Sequence, residues 1–288
     1  MRGARPERAL DALVRAAVAW PSGGIVVVAC SGGPDSVALA AVTDRIARAN
    51  GFELVLAHVN AGLRASAWQD ECVVLSVGAR LGRPVRIAAP APGRADEATL
   101  RGARYAALAD IAARQGADAI ATAHTAEDQT ETVLLALFRG TGLAGLAGIA
   151  PTTGLPGGTR LLRPLLRATH ADVLAELYRS GLPYALDPTN ADERYRRNAV
   201  RAALARLRPD FPQLDRSVAR CAAIVRDELT GGERVARRRR VRTALANRGE
   251  LRDIPFERIE ALLGARPDRR VFLKPGLELE AGELHDGH

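Results

Sequence analysis

Six consecutive residues, Ser31-Gly32-Gly33-Pro34-Asp35-Ser36, have the types and spacing of an anion cradle. An apolar run from Gly24 to Cys30 precedes them and a segment of helical period from Val37 to Ala49 follows, so the glycines fall at a strand-to-helix turn. Glycine there lets the backbone approach a ligand closely, and the exposed N–H groups and dipole of a helix N-terminus favour negative charge. Ser31 and Ser36 add hydroxyl donors. Asp35 repels a phosphate unless a divalent cation bridges the two, so it is the expected Mg²⁺-linked residue of a bound nucleotide. The lysine of a Walker loop has no counterpart here, and γ-phosphoryl transfer of that type would lack its main clamp.

Other chemistry-bearing residues stand at the ends of later apolar runs, which is where ligands gather in open α/β sheets. His58 and Asn60 stand at the end of the run from Glu53 to Val59. His124 follows the run from Asp118 to Ala123, and Asp128 and Glu131 come next, three residues apart on one face of a helix start. Arg101 and Arg104 share a helix face beside Tyr105, and Arg197 and Arg201 lie one helical turn apart. Each has a blander reading: Asp128 caps its helix with Thr125, Glu131 is solvated, and the arginines form a charged outer face.

The hexapeptide resembles the SGGxDS loop of the N-type ATP pyrophosphatases, which cleave ATP between the α and β phosphates and adenylate an oxygen of their substrate. Further segments are similar to motifs of one branch, the bacterial tRNA(Ile)-lysidine synthetases. His58-Val59-Asn60-Ala61-Gly62-Leu63-Arg64 looks like HVNHGLR, with Ala61 in place of the second histidine. Arg101 to Tyr105 looks like RxxRY, and Thr122 to Thr132 looks like TAHxxDDQxET, with Glu127 for the first aspartate. Asp187-Pro188-Thr189-Asn190 with Arg196-Arg197-Asn198 and Arg201 looks like D-x-SN…RNxxR, with Thr189 where serine is usual.

That resemblance implies a two-step ligation. ATP adenylates the C2 oxygen of the wobble cytidine in a tRNA(Ile) with a CAU anticodon, pyrophosphate leaves, and the ε-amine of L-lysine displaces AMP. The residues from Ser31 to Ser36 would bind ATP, with Mg²⁺ held through Asp35. Asp35, His58, Arg104 and Asp128 would be catalytic, and Asp128 with Glu131 would receive the two amino groups of lysine. Arg197 and Arg201 would meet a phosphate of ATP or of tRNA, and His58, His124 and Asp128 are alternatives for the base that keeps the attacking amine neutral. A homodimer follows by analogy. The alternatives are a tRNA thiolase using the same loop and a non-catalytic nucleotide- or RNA-binding protein.

The elements that must position these residues follow from the pattern. Strand-like runs alternate with helical segments up to about residue 211, which predicts a Rossmann-like α/β fold, a parallel sheet with helices on both faces. Pro209 and Pro212 punctuate the chain there, so residues 1–211 are read as the catalytic domain and residues 212–288 as a smaller, mainly helical, tRNA-binding one. The latter carries Arg234, Arg237, Arg238, Arg239, Arg240 and Arg242.

A net charge of +8 favours a polyanionic partner, although only Lys274 among 41 basic residues is a lysine, which suggests compositional bias as well. Cys30, Cys72 and Cys221 form no CxxC pair, so a cluster-bearing thiolase is disfavoured. No apolar run approaches the roughly 20 residues of a membrane span, and the first 20 residues lack a signal-like apolar core. A cytoplasmic address is expected.

Overall fold

The computed structural model describes residues 9–60, 67–89, 97–186, 196–266 and 268–281. The central sheet is built from apolar runs. β1 (Ile25–Ala29) pairs in parallel with β2 (Glu53–Val59) on one side and β4 (Ala119–Ala121) on the other. β3 (Val85–Ala88) extends the sheet beyond β2, and β6 (Arg160–Leu162) extends it beyond β4. β5 (Thr152–Gly154) then adds antiparallel to β6, giving the order β3-β2-β1-β4-β6-β5.

Strand residues alternate between the two faces, and the core divides accordingly. On one face Val26, Val28, Leu54, Leu56, Ala119, Ala121 and Leu162 pack with α1 (Ala9–Ala17), α2 (Pro34–Asn50), α3 (Ala67–Leu81) and α7 (His170–Ser180). On the other, Val27, Val55, Ala57, Ile120 and Leu161 pack with α4 (Glu97–Gln115). Helices on both faces oblige the strands to be apolar throughout, which is why β1 reads Ile-Val-Val-Val-Ala. The strand order reverses between β1 and β4, and the crevice at their carboxyl ends is the natural ligand site of such sheets.

The expected elements occur with shifted ends. α2 begins at Pro34, three residues before the expected Val37, because proline is preorganised for the first helical position. Within the segment from Thr159 to Leu166 only Arg160–Leu162 forms a strand, since Pro164 has no N–H to continue a ladder. The glycine-rich stretch after α5 (Ala126–Leu137) contains a short helix, α6 (Leu143–Leu146). α1 and β5 were not expected. Ala61 to Arg64 and the Asp187 to Asn190 motif lie outside the described residues.

α8 (Arg196–Leu207) and α9 (Leu214–Thr230) follow. The chain forms two compact units, Met1–Ala223 and Ile224–His288, with the division inside α9. The second unit contains α10 (Glu233–Asn247), α11 (Phe256–Gly264) and an antiparallel hairpin of β7 (Arg270–Lys274) and β8 (Leu277–Glu280). Its core is Val241, Leu245, Ile259, Leu262, Leu273 and Leu279. The hairpin and α11 were not anticipated from the sequence. Among the described residues no helix is long and apolar enough to cross a membrane.

Candidate active site

The Ser31 to Ser36 loop closes on itself before any ligand arrives. The Ser36 hydroxyl donates to the Gly33 carbonyl at 2.9 Å and accepts from the Ser31 N–H at 3.1 Å, while Ser31 and Ser36 hydroxyls stand 3.2 Å apart. Ser36 is therefore a brace that fixes the cradle, and it is buried. Gly32 has φ +91°, and a Cβ there would meet the Asp70 carbonyl oxygen at 3.0 Å, so both conformation and space demand glycine. The Gly32 carbonyl accepts from the Ala185 N–H at 2.9 Å. The first turn of α2, which has no intrahelical acceptors for its N–H groups, opens directly from this loop.

Asp35 lies in that first turn with a partly exposed carboxylate. His170 Nδ1, from the first residue of α7, stands 3.6 Å from Asp35 Oδ1, within ion-pair range but beyond a hydrogen bond. Asp35 raises the pKa of that imidazole. Sequence reading missed His170, and nothing in its local pattern marks it. Glu127 sets its position: its Oε1 accepts from the His170 backbone N–H at 2.8 Å, and burial pushes this carboxyl upward in pKa. Among the described residues no group of three or more His, Cys, Asp or Glu could hold a metal as a cage. Asp35 fits the other mode, one carboxylate sharing Mg²⁺ with nucleotide phosphates and water, because its Oδ1 has no hydrogen-bond donor.

His58 is 3% exposed, and its Nδ1 is hydrogen-bonded to the Cys30 carbonyl at 2.9 Å, one residue before the loop. The structure thus ties this ring to the strand that delivers the cradle. Asn60 donates to Glu71 Oε2 at 3.5 Å.

At the end of β4, Thr125 precedes α5 and its N–H donates to Asp128 Oδ2 at 3.0 Å, a capping contact. Asp128 Oδ1 accepts from Arg197 Nη2 at 2.7 Å. Glu131, 1% exposed, accepts from Arg197 Nε at 2.7 Å and from Arg201 Nε at 2.8 Å. α8 is thereby pinned to α5 by two guanidinium groups and two carboxylates. The four residues expected to bind lysine and phosphate separately are brought together as one ion-paired cluster.

His124 joins this cluster from the strand end. It is hydrogen-bonded through Nδ1 to the Thr122 hydroxyl at 3.0 Å. Burial, reinforced by the charges of Arg163, Arg101 and Arg197 and opposed by Asp128, pushes its pKa down to about 4, so it is neutral at pH 7. Arg101 and Arg104 are both exposed, and Arg101 lies over the Tyr105 ring at 5.5 Å. Of the two arginines of that motif it is Arg101 whose charge is felt at His124.

A family model described as a PP-loop domain matches residues 6–207. The tRNA(Ile)-lysidine synthase of Methylobacterium nodulans is 42% identical over 187 residues, covering 64% of this chain and 54% of that protein. That of Novosphingobium aromaticivorans is 41% identical, covering 66% and 58%, and that of Salinispora tropica is 40% identical, covering 77% and 68%. The chain spans roughly half the length of most of these relatives, 54% and 58% for the first two. Among solved structures, the U34-tRNA thiolase NcsA of Methanococcus maripaludis, with its [4Fe-4S] cluster, has a TM-score of 0.62 at 19% identity. The likeness covers 74% of this chain and 76% of that one, and it is a likeness of fold.

Proposed function

Because the chain belongs to the PP-loop family and, within it, to the tRNA(Ile)-lysidine synthases, we propose that it joins L-lysine to C2 of the wobble cytidine in a tRNA(Ile) with a CAU anticodon. The observation that carries this is the juxtaposition at the carboxyl ends of two central strands: a braced glycine cradle after β1 and the His124, Asp128 and Glu131 group after β4, its parallel neighbour. The cradle's backbone N–H groups and the dipole of α2 hold the phosphates of ATP. Asp35 would hold Mg²⁺, which would supply positive charge to offset that of the departing pyrophosphate. Cytidine's C2 oxygen attacks the α-phosphorus, and the adenylate so formed turns a poor leaving group into AMP.

In the second step the ε-amine of lysine attacks C2, the C–N bond forms, the C–O bond to AMP breaks, and the amine sheds a proton. Of the three base alternatives, His58 is buried against Cys30 and Asp128 has both oxygens engaged. His124 keeps its Nε2 clear of hydrogen bonds among the described residues, which favours it as acceptor. Residues 1–211 provide this chemistry. In the second unit Arg234, Arg238 and Arg239 already meet Glu260 or Glu228, so Arg240 and Arg242, both exposed, are the residues of α10 assigned to tRNA phosphates. A cytoplasmic location and a homodimer belong to the same reading.

The test is incubation of a tRNA with a CAU anticodon, ATP and labelled lysine, followed by mass measurement of the tRNA. One lysine gained per tRNA is expected. Pyrophosphate release with no lysine gained would assign a different acceptor. A thiolase reading needs sulfur chemistry at the site, whereas Cys30 is buried with its thiol pKa pushed up by burial, and Cys72 and Cys221 sit on separate helices.

A further inference from the structure

Among the described residues two arginines are buried, Arg238 at 2% exposure and Arg163 at 8%. Arg238 is surrounded by Glu260, Glu228 and Asp227. Arg163, which directly follows β6, pairs with no carboxylate among the described residues. Its Nη1 donates to the Ala150 carbonyl at 2.8 Å and the Thr153 hydroxyl at 3.3 Å, and its Nε is buried with no acceptor. A buried guanidinium with an idle N–H and no counter-charge is an anion site in waiting, because burying an uncompensated charge is costly.

Its surroundings say which anion. Thr122 ties the end of β6 to His124: the Thr122 N–H donates to the Leu162 carbonyl at 2.9 Å, and the Thr122 hydroxyl is bonded to His124. Tyr105 bonds the Arg163 side chain and lies under Arg101, so two cations share this corner. Asp128, whose charge also reaches His124, supplies the opposite sign. β6 is two strands from β1, about 10 Å at ordinary strand spacing, so an anion here is not the group cradled by the loop.

We propose that Arg163, assisted by Arg101, is the subsite for the α-carboxylate of the amino-acid acceptor. This rests on the reading that a free amino acid is the second substrate. A planar guanidinium fork with its Nε edge unused suits a carboxylate, and the Asp128 side of His124 suits the same molecule's ammonium. Binding has a consequence for the base. The charges of Arg163 and Arg101 act with burial and Arg197 to depress His124, against Asp128, and a bound carboxylate offsets the first two, raising the basicity of His124 as lysine arrives.

The test is calorimetric titration of the full chain, with tRNA and α,β-methylene ATP, using L-lysine, L-lysinamide and 1,5-diaminopentane. Both analogues keep the ε-amine and lack the carboxylate. They should bind roughly 10- to 100-fold more weakly than lysine, and Arg163→Gln should bring lysine to their level. The His124 pKa, followed by NMR, should rise with lysine and stay put with the analogues. Equal binding of lysine and lysinamide by the unaltered chain overturns the subsite while leaving the acceptor reading intact, and this arm needs no variant. An Arg163→Gln effect on all three ligands alike assigns Arg163 to bracing the Ala150–Thr153 segment instead. A rise in the Kd of the nucleotide or tRNA with lysine unmoved assigns the anion as phosphate. If the unaltered chain neither binds nor incorporates lysine, the acceptor reading itself fails.

Discussion

Arg197 and Arg201 meet carboxylates at 2.7 and 2.8 Å, whereas Arg163, just past the end of β6, meets none among the described residues. The first pair is a clamp of matched charges between α5 and α8, and an incoming phosphate would have to displace an ion pair to reach it. The second is a charge awaiting its partner. α10 repeats the contrast within one helix: Arg238 is a core cross-link that also lies over Phe256 at 5.1 Å, while Arg240 and Arg242 face solvent. The abundance of arginine therefore says little about binding; what matters is which guanidinium groups the fold has already neutralised.

The contrast can be broken at several points. The largest effect is expected at the cradle, where Asp35→Ala should abolish pyrophosphate release while tRNA binding persists; release at the wild-type rate would remove Asp35 from the chemistry. Next, Arg238→Ala should destabilise the second unit by about 3 kcal/mol, because it empties a buried site and removes charge-assisted hydrogen bonds to Glu260 and Glu228. Chemical denaturation would measure this, and an unchanged midpoint would return Arg238 to the surface charges.

Arg197→Ala should lower stability by about 3 kcal/mol by leaving Glu131 buried and short of a partner, with the KM for ATP within about two-fold of wild type. A ten-fold higher KM with unchanged stability would make it a phosphate ligand after all. Arg240→Ala and Arg242→Ala should each flatten the dependence of log Kd for tRNA on log salt by about one, without moving the melting temperature. The smallest effect concerns His124. Its folded pKa of about 4 lies below the unfolded value near 6.5, so the unfolded chain binds more protons between these limits. Stability should thus fall as pH drops through that window, and His124→Gln should flatten the slope.

The order of β1, α2, β2, α3, β3, α4, β4 and α5 was legible because buried parallel strands need continuous apolar runs and helices between them need a 3.6-residue period. The three-residue β5 and the hairpin β7–β8 were not, since short edge strands carry too few residues to show alternation. The cradle could be read whole, its requirements being local: glycine at φ +91° and a helix start immediately after. The acidic pair was legible as a pair, yet its occupancy by Arg197 and Arg201, some 70 residues away in sequence, was not.

By itself, then, the sequence determined the sheet, the loop, the family and the surplus of positive charge, all of which depend on residue type and near-neighbour spacing. Only the tertiary structure decided that Ser36 braces rather than merely lines the cradle, that His170 stands beside Asp35, and that among the described residues Arg197 meets carboxylates while Arg163 meets none. The physical reason is range. A turn or a helix start is settled by a few adjacent residues, whereas the free energy of a charge depends on burial and on every opposite charge the fold brings within a few ångströms.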